Sequence, residues 1–112
     1  MKALIIGSGF SSLSNACYLA KNGFNVTVFE KNNQLGGRAR KFDEKGFTFD
    51  MGPSWYWMPD VFESFFNDFG KSSKDFYTLK RISPSYQVFW KDDADEIPSD
   101  FDHLKLYFEK LE

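Results

Sequence analysis

Ala3-Leu4-Ile5-Ile6-Gly7-Ser8-Gly9-Phe10 is the stretch that decides the fold. A short apolar run ends in Gly-x-Gly, and the turn opens a helix. Downstream, Val26-Thr27-Val28-Phe29 reads as a second strand and delivers Glu30, 21 residues after Gly9. Gly36-Gly37-Arg38 follows. In this order the residues predict a βαβ unit that receives the pyrophosphate and ribose of a dinucleotide.

Each position has its own physical task. Gly7 permits the tight strand-to-helix turn, and Gly9 lets the backbone approach a pyrophosphate. The helix N-terminus offers that anion unpaired N–H groups and a partial positive charge. The Glu30 carboxylate can accept hydrogen bonds from ribose hydroxyls and repels a 2′-phosphate, which disfavours NADP. The third glycine of G-x-G-x-x-G falls at residue 12, which is Ser12. Its hydroxyl could bond back to the carbonyl of Ser8. Leu13, Ala16, Cys17 and Ala20 form a helical stripe suited to packing on a sheet, so Cys17 is expected to be a buried structural thiol. Gly23 is placed just past the helix end. At this level NAD and FAD both remain open, as does a βαβ unit with no ligand.

Composition narrows the function classes. A net charge of −2 gives no reason to expect nucleic acid. No stretch approaches the roughly 20 apolar residues that span a bilayer, and the first apolar run stops at Gly7 without a cleavage site for a signal peptide. A single cysteine suits a reducing compartment, so a cytoplasmic location is expected. His103, the one histidine, lies in no pattern of metal-ligand spacing. Fourteen phenylalanines, five tyrosines and three tryptophans make 20% of the 112 residues. Concentrated between Phe42 and Phe108, they point to a large apolar partner or to apolar surface awaiting cover.

Residues 38–50 read as a hairpin turning at Asp43-Glu44-Lys45-Gly46. After the Gly52-Pro53 loop a helix starts at Pro59 and ends at Gly70, with a Phe62, Phe65, Phe66, Phe69 stripe. Core packing is the expected use of that stripe, ahead of ligand contact. Phe76 to Ile82 and Tyr86 to Trp90 read as strands, Asp92 to Glu96 as a solvated turn, and a last helix is predicted from Ser99. Phe101, Leu104, Phe108 and Leu111 would form its apolar face, running to an uncapped end at Glu112. One βαβ unit supplies only two parallel strands, and parallel sheets need both faces covered. The chain is therefore expected to be the amino-terminal piece of something larger, with residues 1–55 in a nucleotide-binding domain and 56–112 opening a second one.

Taken together, Ile5-Ile6-Gly7-Ser8-Gly9-Phe10, Val28-Phe29-Glu30-Lys31, Gly36-Gly37-Arg38-Ala39 and Gly46 through Ser54 resemble the amino terminus of the bacterial-type phytoene desaturases, carotenoid-desaturating flavoproteins of the flavin amine oxidase superfamily. Met58 to Phe62 and Pro84-Ser85-Tyr86 extend the resemblance over essentially the whole chain. It implies an α/β fold, the first βαβ unit of an FAD-binding Rossmann-like domain followed by the start of an α+β substrate domain. It implies FAD as cofactor, bound by Gly7, Gly9, Ser12, Glu30, Lys31, Gly36, Gly37 and Arg38, with Gly52 and Pro53 near the flavin ring. It also implies a hydrophobic polyene substrate, peripheral membrane contact, and an FAD-dependent oxidoreductase acting on CH–CH bonds. The alternatives are a flavin-dependent carotenoid isomerase or oxidase of the same fold, or a non-catalytic dinucleotide-binding module. No residue stands out as a catalytic acid or base.

Overall fold

The structure is a computed structural model that describes residues 1–111. The expectation of an uncapped end at Glu112 lies outside the described residues. The chain forms two units, one from Met1 to Ser72 and one from Ser73 onward.

The first unit opens as the sequence predicts. Strand β1 (Lys2–Ile6) pairs in parallel with β2 (Asn25–Phe29), Ile6 opposite Phe29, and helix α1 (Phe10–Lys21) crosses between them. Strand side chains alternate between faces. Ala3, Ile5, Val26 and Val28 are half-buried on one face, whereas Leu4 is 71% and Ile6 89% exposed on the other. The helix covers one face only. Its end is closed by the Gly23 amide bonding to the Ala20 carbonyl and the Phe24 amide to the Leu19 carbonyl, the paired bonds of a Schellman motif.

Cys17 corrects the expected stripe. It is exposed, and so is Ala20. The inner side of α1 is carried instead by Ser12, Leu13, Ala16 and Leu19, all half-buried. The reason is helical geometry: positions 12, 16 and 19 follow the 3.6-residue period, and 17 and 20 rotate away from the two strands. Tyr18 meets α2 (Pro59–Asn67), its ring 5.8 Å from Phe65 and 5.1 Å from Phe69. Phe10 packs edge-on to Phe62 at 5.7 Å, and Lys21 lies over the Phe69 ring. The phenylalanine stripe is thus used for helix packing, as expected.

Strands β3 (Lys41–Glu44) and β4 (Phe47–Asp50) form an antiparallel hairpin. Its turn is tighter than predicted. Lys45 and Gly46 alone connect the strands, with φ of 50° and 83°, the positive pair that a two-residue turn requires. Gly37–Ala39 forms a 3₁₀ turn, so Arg38 precedes the hairpin and is not part of it.

In the second unit, β5 (Tyr86–Phe89) pairs with β6 (Ala94–Ile97), and α3 spans Phe101–Glu109. Two expectations fail here. Residues 76–82 hold no strand, and the acidic run supplies one. Pairing is a backbone property, and a two-stranded ladder with a wet face tolerates carboxylates. Gln87 donates to Glu96 across the ladder at 2.8 Å, and the Trp90 indole to Asp95 at 2.6 Å. Helix α3 is capped by Asp100, one residue later than expected, through a 2.9 Å bond from the His103 amide. Leu104 and Tyr107 are its half-buried positions, while Phe101, Phe108 and Leu111 are exposed.

Most of the aromatic residues are exposed, among them Phe47, Trp55 and Trp57 in the first unit and Phe89, Trp90 and Phe101 in the second.

Candidate functional site

The site grows from the ends of the two parallel strands. The Gly7 amide donates to the Phe29 carbonyl at 2.7 Å, extending the ladder one step beyond Ile6. The next residue, Ser8, is 1% exposed, the most enclosed side chain described. Its amide and hydroxyl donate to Oε2 of Glu30 at 2.8 and 2.6 Å. Asn32 donates to Oε1 from its amide at 2.9 Å and from its side chain at 2.8 Å. These bonds, led by the Ser8 hydroxyl, hold the Glu30 carboxyl down to about 2. An anion is therefore fixed at the end of β2, where the sequence places it.

The Ser8 carbonyl accepts from the Gly36 amide at 3.0 Å, which corrects the expected bond from Ser12. Ser12 lies instead beside the turn, its Oγ 4.0 Å from where a Cβ on Gly7 would stand. Gly9 and Gly36 form a parallel bridge, bringing the Gly36-Gly37-Arg38 segment against the first turn. The approach is close. A Cβ on Gly37 would lie 3.1 Å from Gly9 Cα, and the Gly37 φ of +61° also disfavours a side chain.

Above this junction is a cleft of about 640 Å³, within the range of roughly 300–1,000 Å³ usual for small-ligand sites. Gly9, Phe10, Ser11 and Ser12 line it from the start of α1, and Gly36, Arg38 and Ala39 from the glycine turn. Met51, Gly52 and Pro53 close the third side. Gly52 holds that side in place, since a Cβ there would sit 2.0 Å from the Arg38 carbonyl oxygen. Only a glycine lets these two loops touch.

These residues fit a dinucleotide. No side chain caps α1 at Gly9, so its first amides face the cleft region without an internal acceptor. Nothing lies within 4 Å of the Cβ position of Gly9, which leaves room for a phosphate against the backbone. Arg38 adds a forked cation to the lining.

Of the residues singled out from sequence, Gly9, Ser12, Gly36, Arg38, Gly52 and Pro53 line the cleft together. Gly7, Gly37 and Glu30 are not among the lining residues but adjoin them, Glu30 through its bonds to Ser8, and Lys31 is exposed outside the lining. Sequence reasoning missed Ser8 and Asn32. The available signal was a hydroxyl between the two glycines and an amide two residues past the acid.

Known proteins resemble this chain in sequence and in fold. Residues 5–69, more than half of the chain, match the family described as NAD(P)-binding Rossmann-like domain. A carotenoid 3,4-desaturase from Haloarcula japonica is 51% identical over 109 residues, 96% of this chain and 22% of that protein. A 4,4'-diapophytoene desaturase (4,4'-diaponeurosporene-forming) from Staphylococcus aureus is 40% identical over 113 aligned residues, covering all of this chain and again 22% of the relative. The chain thus spans about a fifth of the length of these curated relatives. A crystal structure of a Pyrococcus furiosus protein overlays with a TM-score of 0.55 at 23% identity, covering 86% of this chain and 24% of the other, and supports the fold alone. With its parallel β1–α1–β2 unit, glycine turn and strand-end acid, the chain belongs to the NAD(P)-binding Rossmann-like domain family.

Proposed function

We propose that this chain supplies the FAD-binding start of an oxidoreductase that desaturates CH–CH bonds of phytoene or a related carotenoid. The observation that carries the reading is the cleft itself. It is walled by the start of α1, the Gly36–Arg38 turn and the Gly52-Pro53 loop, in a chain similar to a carotenoid 3,4-desaturase and a 4,4'-diapophytoene desaturase. In this reading residues 1–55 belong to the cofactor domain and 56–112 open the substrate domain.

The residues divide the work. The α1 amides and Arg38 hold the pyrophosphate, Glu30 the adenosine ribose, with Lys31 beside it, and Gly52-Pro53 the region next to the isoalloxazine. Bound flavin supplies a two-electron acceptor for the hydrogens removed from the polyene. The chain's aromatic groups exclude water and offer apolar surface. Trp55 and Trp57 stack at 5.9 Å and are followed by Met58, all exposed just past the cleft loop. Such a run suits both a polyene and the edge of a membrane, and it supports a cytoplasmic, peripherally membrane-associated protein. Among the described residues no helix is long and apolar enough to cross a membrane.

The test is direct. Full-length protein should purify yellow with a flavin spectrum and should convert phytoene into more unsaturated products. A colourless preparation without that activity would overturn the reading. Isomerised or oxygenated products would replace the reaction and keep the cofactor.

A further inference from the structure

Glu30 is more occupied than a waiting ribose acceptor should be. A carboxylate offers about four acceptor sites. Here four donors take them: the Ser8 amide and hydroxyl at Oε2, and the Asn32 amide and side chain at Oε1. A ribose hydroxyl needs one of these sites, so one donor must leave.

The four are not equally free to do so. Both amides are fixed by the backbone. The Ser8 hydroxyl is enclosed, and turning it away would strand a buried donor without water. The Asn32 side chain is exposed and can turn into solvent, where its lost bond is replaced at little cost.

We propose that Ser8 and Asn32 form a clamp with one permanent and one displaceable side. Ser8 is a positioning residue that keeps Oε2 locked, and the Asn32 carboxamide is a placeholder that yields Oε1 to one hydroxyl of the adenosine ribose. This rests on the dinucleotide reading of the cleft and adds to it an ordered exchange of donors. The clamp keeps Glu30 charged and aimed before the ligand arrives, which lessens what must be ordered on binding.

The two sides predict opposite signs. With apoprotein of the full-length chain and FAD as the probe, Ser8→Ala should weaken binding about 10-fold, the worth of a charge-assisted hydrogen bond. Asn32→Ala retains the backbone donor and should tighten binding about 2- to 3-fold, because a competitor is gone. In a Glu30→Gln background, Ser8→Ala should have little further effect, since its action runs through the carboxylate. Weaker binding in Asn32→Ala, or a Ser8→Ala loss that persists undiminished in Glu30→Gln, would overturn the clamp. Asn32 is exposed, so its variant reports even if Ser8→Ala disturbs the fold. Wild-type protein that takes up no FAD would instead remove the dinucleotide reading, and the clamp with it.

Discussion

The two units are organised around opposite kinds of anchor. In the first, the most enclosed side chain is a hydroxyl, Ser8, whose amide, hydroxyl and carbonyl tie β1 to Glu30 and to the glycine turn. In the second it is an alkyl group: Ile97, 6% exposed at the end of the β5–β6 ladder, is the one buried hydrophobic residue described. The first unit commits its best-protected position to directional bonds, and the second keeps a small apolar anchor at the end of its ladder. The difference teaches where each should fail.

The largest effect is expected at the junction of two cleft loops. Gly52→Ala places a methyl on the Arg38 carbonyl and should cost the first unit about 3 kcal/mol, read as loss of FAD uptake. The second unit should be untouched in amide exchange. If FAD uptake survives, the cleft does not depend on that contact.

The mirror experiment is Ile97→Ala. It should destabilise the second unit by about 2 kcal/mol, with faster exchange across β5 and β6. FAD affinity should stay within about twofold of wild type. A large loss of affinity would mean that the units do not fail separately.

Acid sharpens the polar side of the comparison. Glu30 is held down to about 2 from an ordinary 4.5, so it binds fewer protons when folded than when unfolded. Its stabilisation is fully present above pH 4.5 and is lost as pH falls from there towards 2. A carbon-detected titration should find this midpoint near 2, and Ser8→Ala should raise it. A wild-type midpoint at the ordinary value would remove the bonds to Ser8 and Asn32.

The smallest effect is expected at Ser12→Gly. Ser12 lines the cleft beside the Gly7 turn and loss of its hydroxyl opens space there, so flavin affinity should be equal or slightly tighter, by less than about 0.5 kcal/mol. A clear loss would give that hydroxyl a specific role.

How much of this was legible in the chain follows the range of the interactions. The order strand, Gly7-x-Gly9, helix, strand, Glu30 is local, and the register Ile6 to Phe29 reproduces it. The Ser8–Glu30 bond needs that register first, because only parallel pairing sets residue 8 beside residue 30. The seat of Gly52 on Arg38 was not legible, since two loops meet there through backbone atoms that carry no sequence pattern. In the second unit, hydropathy misassigned Ala94 to Glu96 because their strand is fixed by ladder bonds and Ala94 and Glu96 are exposed. Cys17 misled for a related reason: a stripe marks a helix face, but what lies opposite decides which flank is covered.

The contact between α1 and α2 has one more consequence, in the language of polymers. Phe10 and Phe62 meet across 52 residues, and the Tyr18 hydroxyl reaches Asp68 across 50. Closing a flexible loop of that length costs about 3.5 kcal/mol beyond a constant term. Aromatic pairs contribute about 0.5–1.5 kcal/mol each beyond burial, so the three that Phe10 and Tyr18 make with Phe62, Phe65 and Phe69 are of a size to offset it. Everything that lines the cleft after Ser12 hangs inside that ring of chain. The phenylalanine stripe thus acts as a knot that restricts how far the glycine turn and the Gly52 loop can wander.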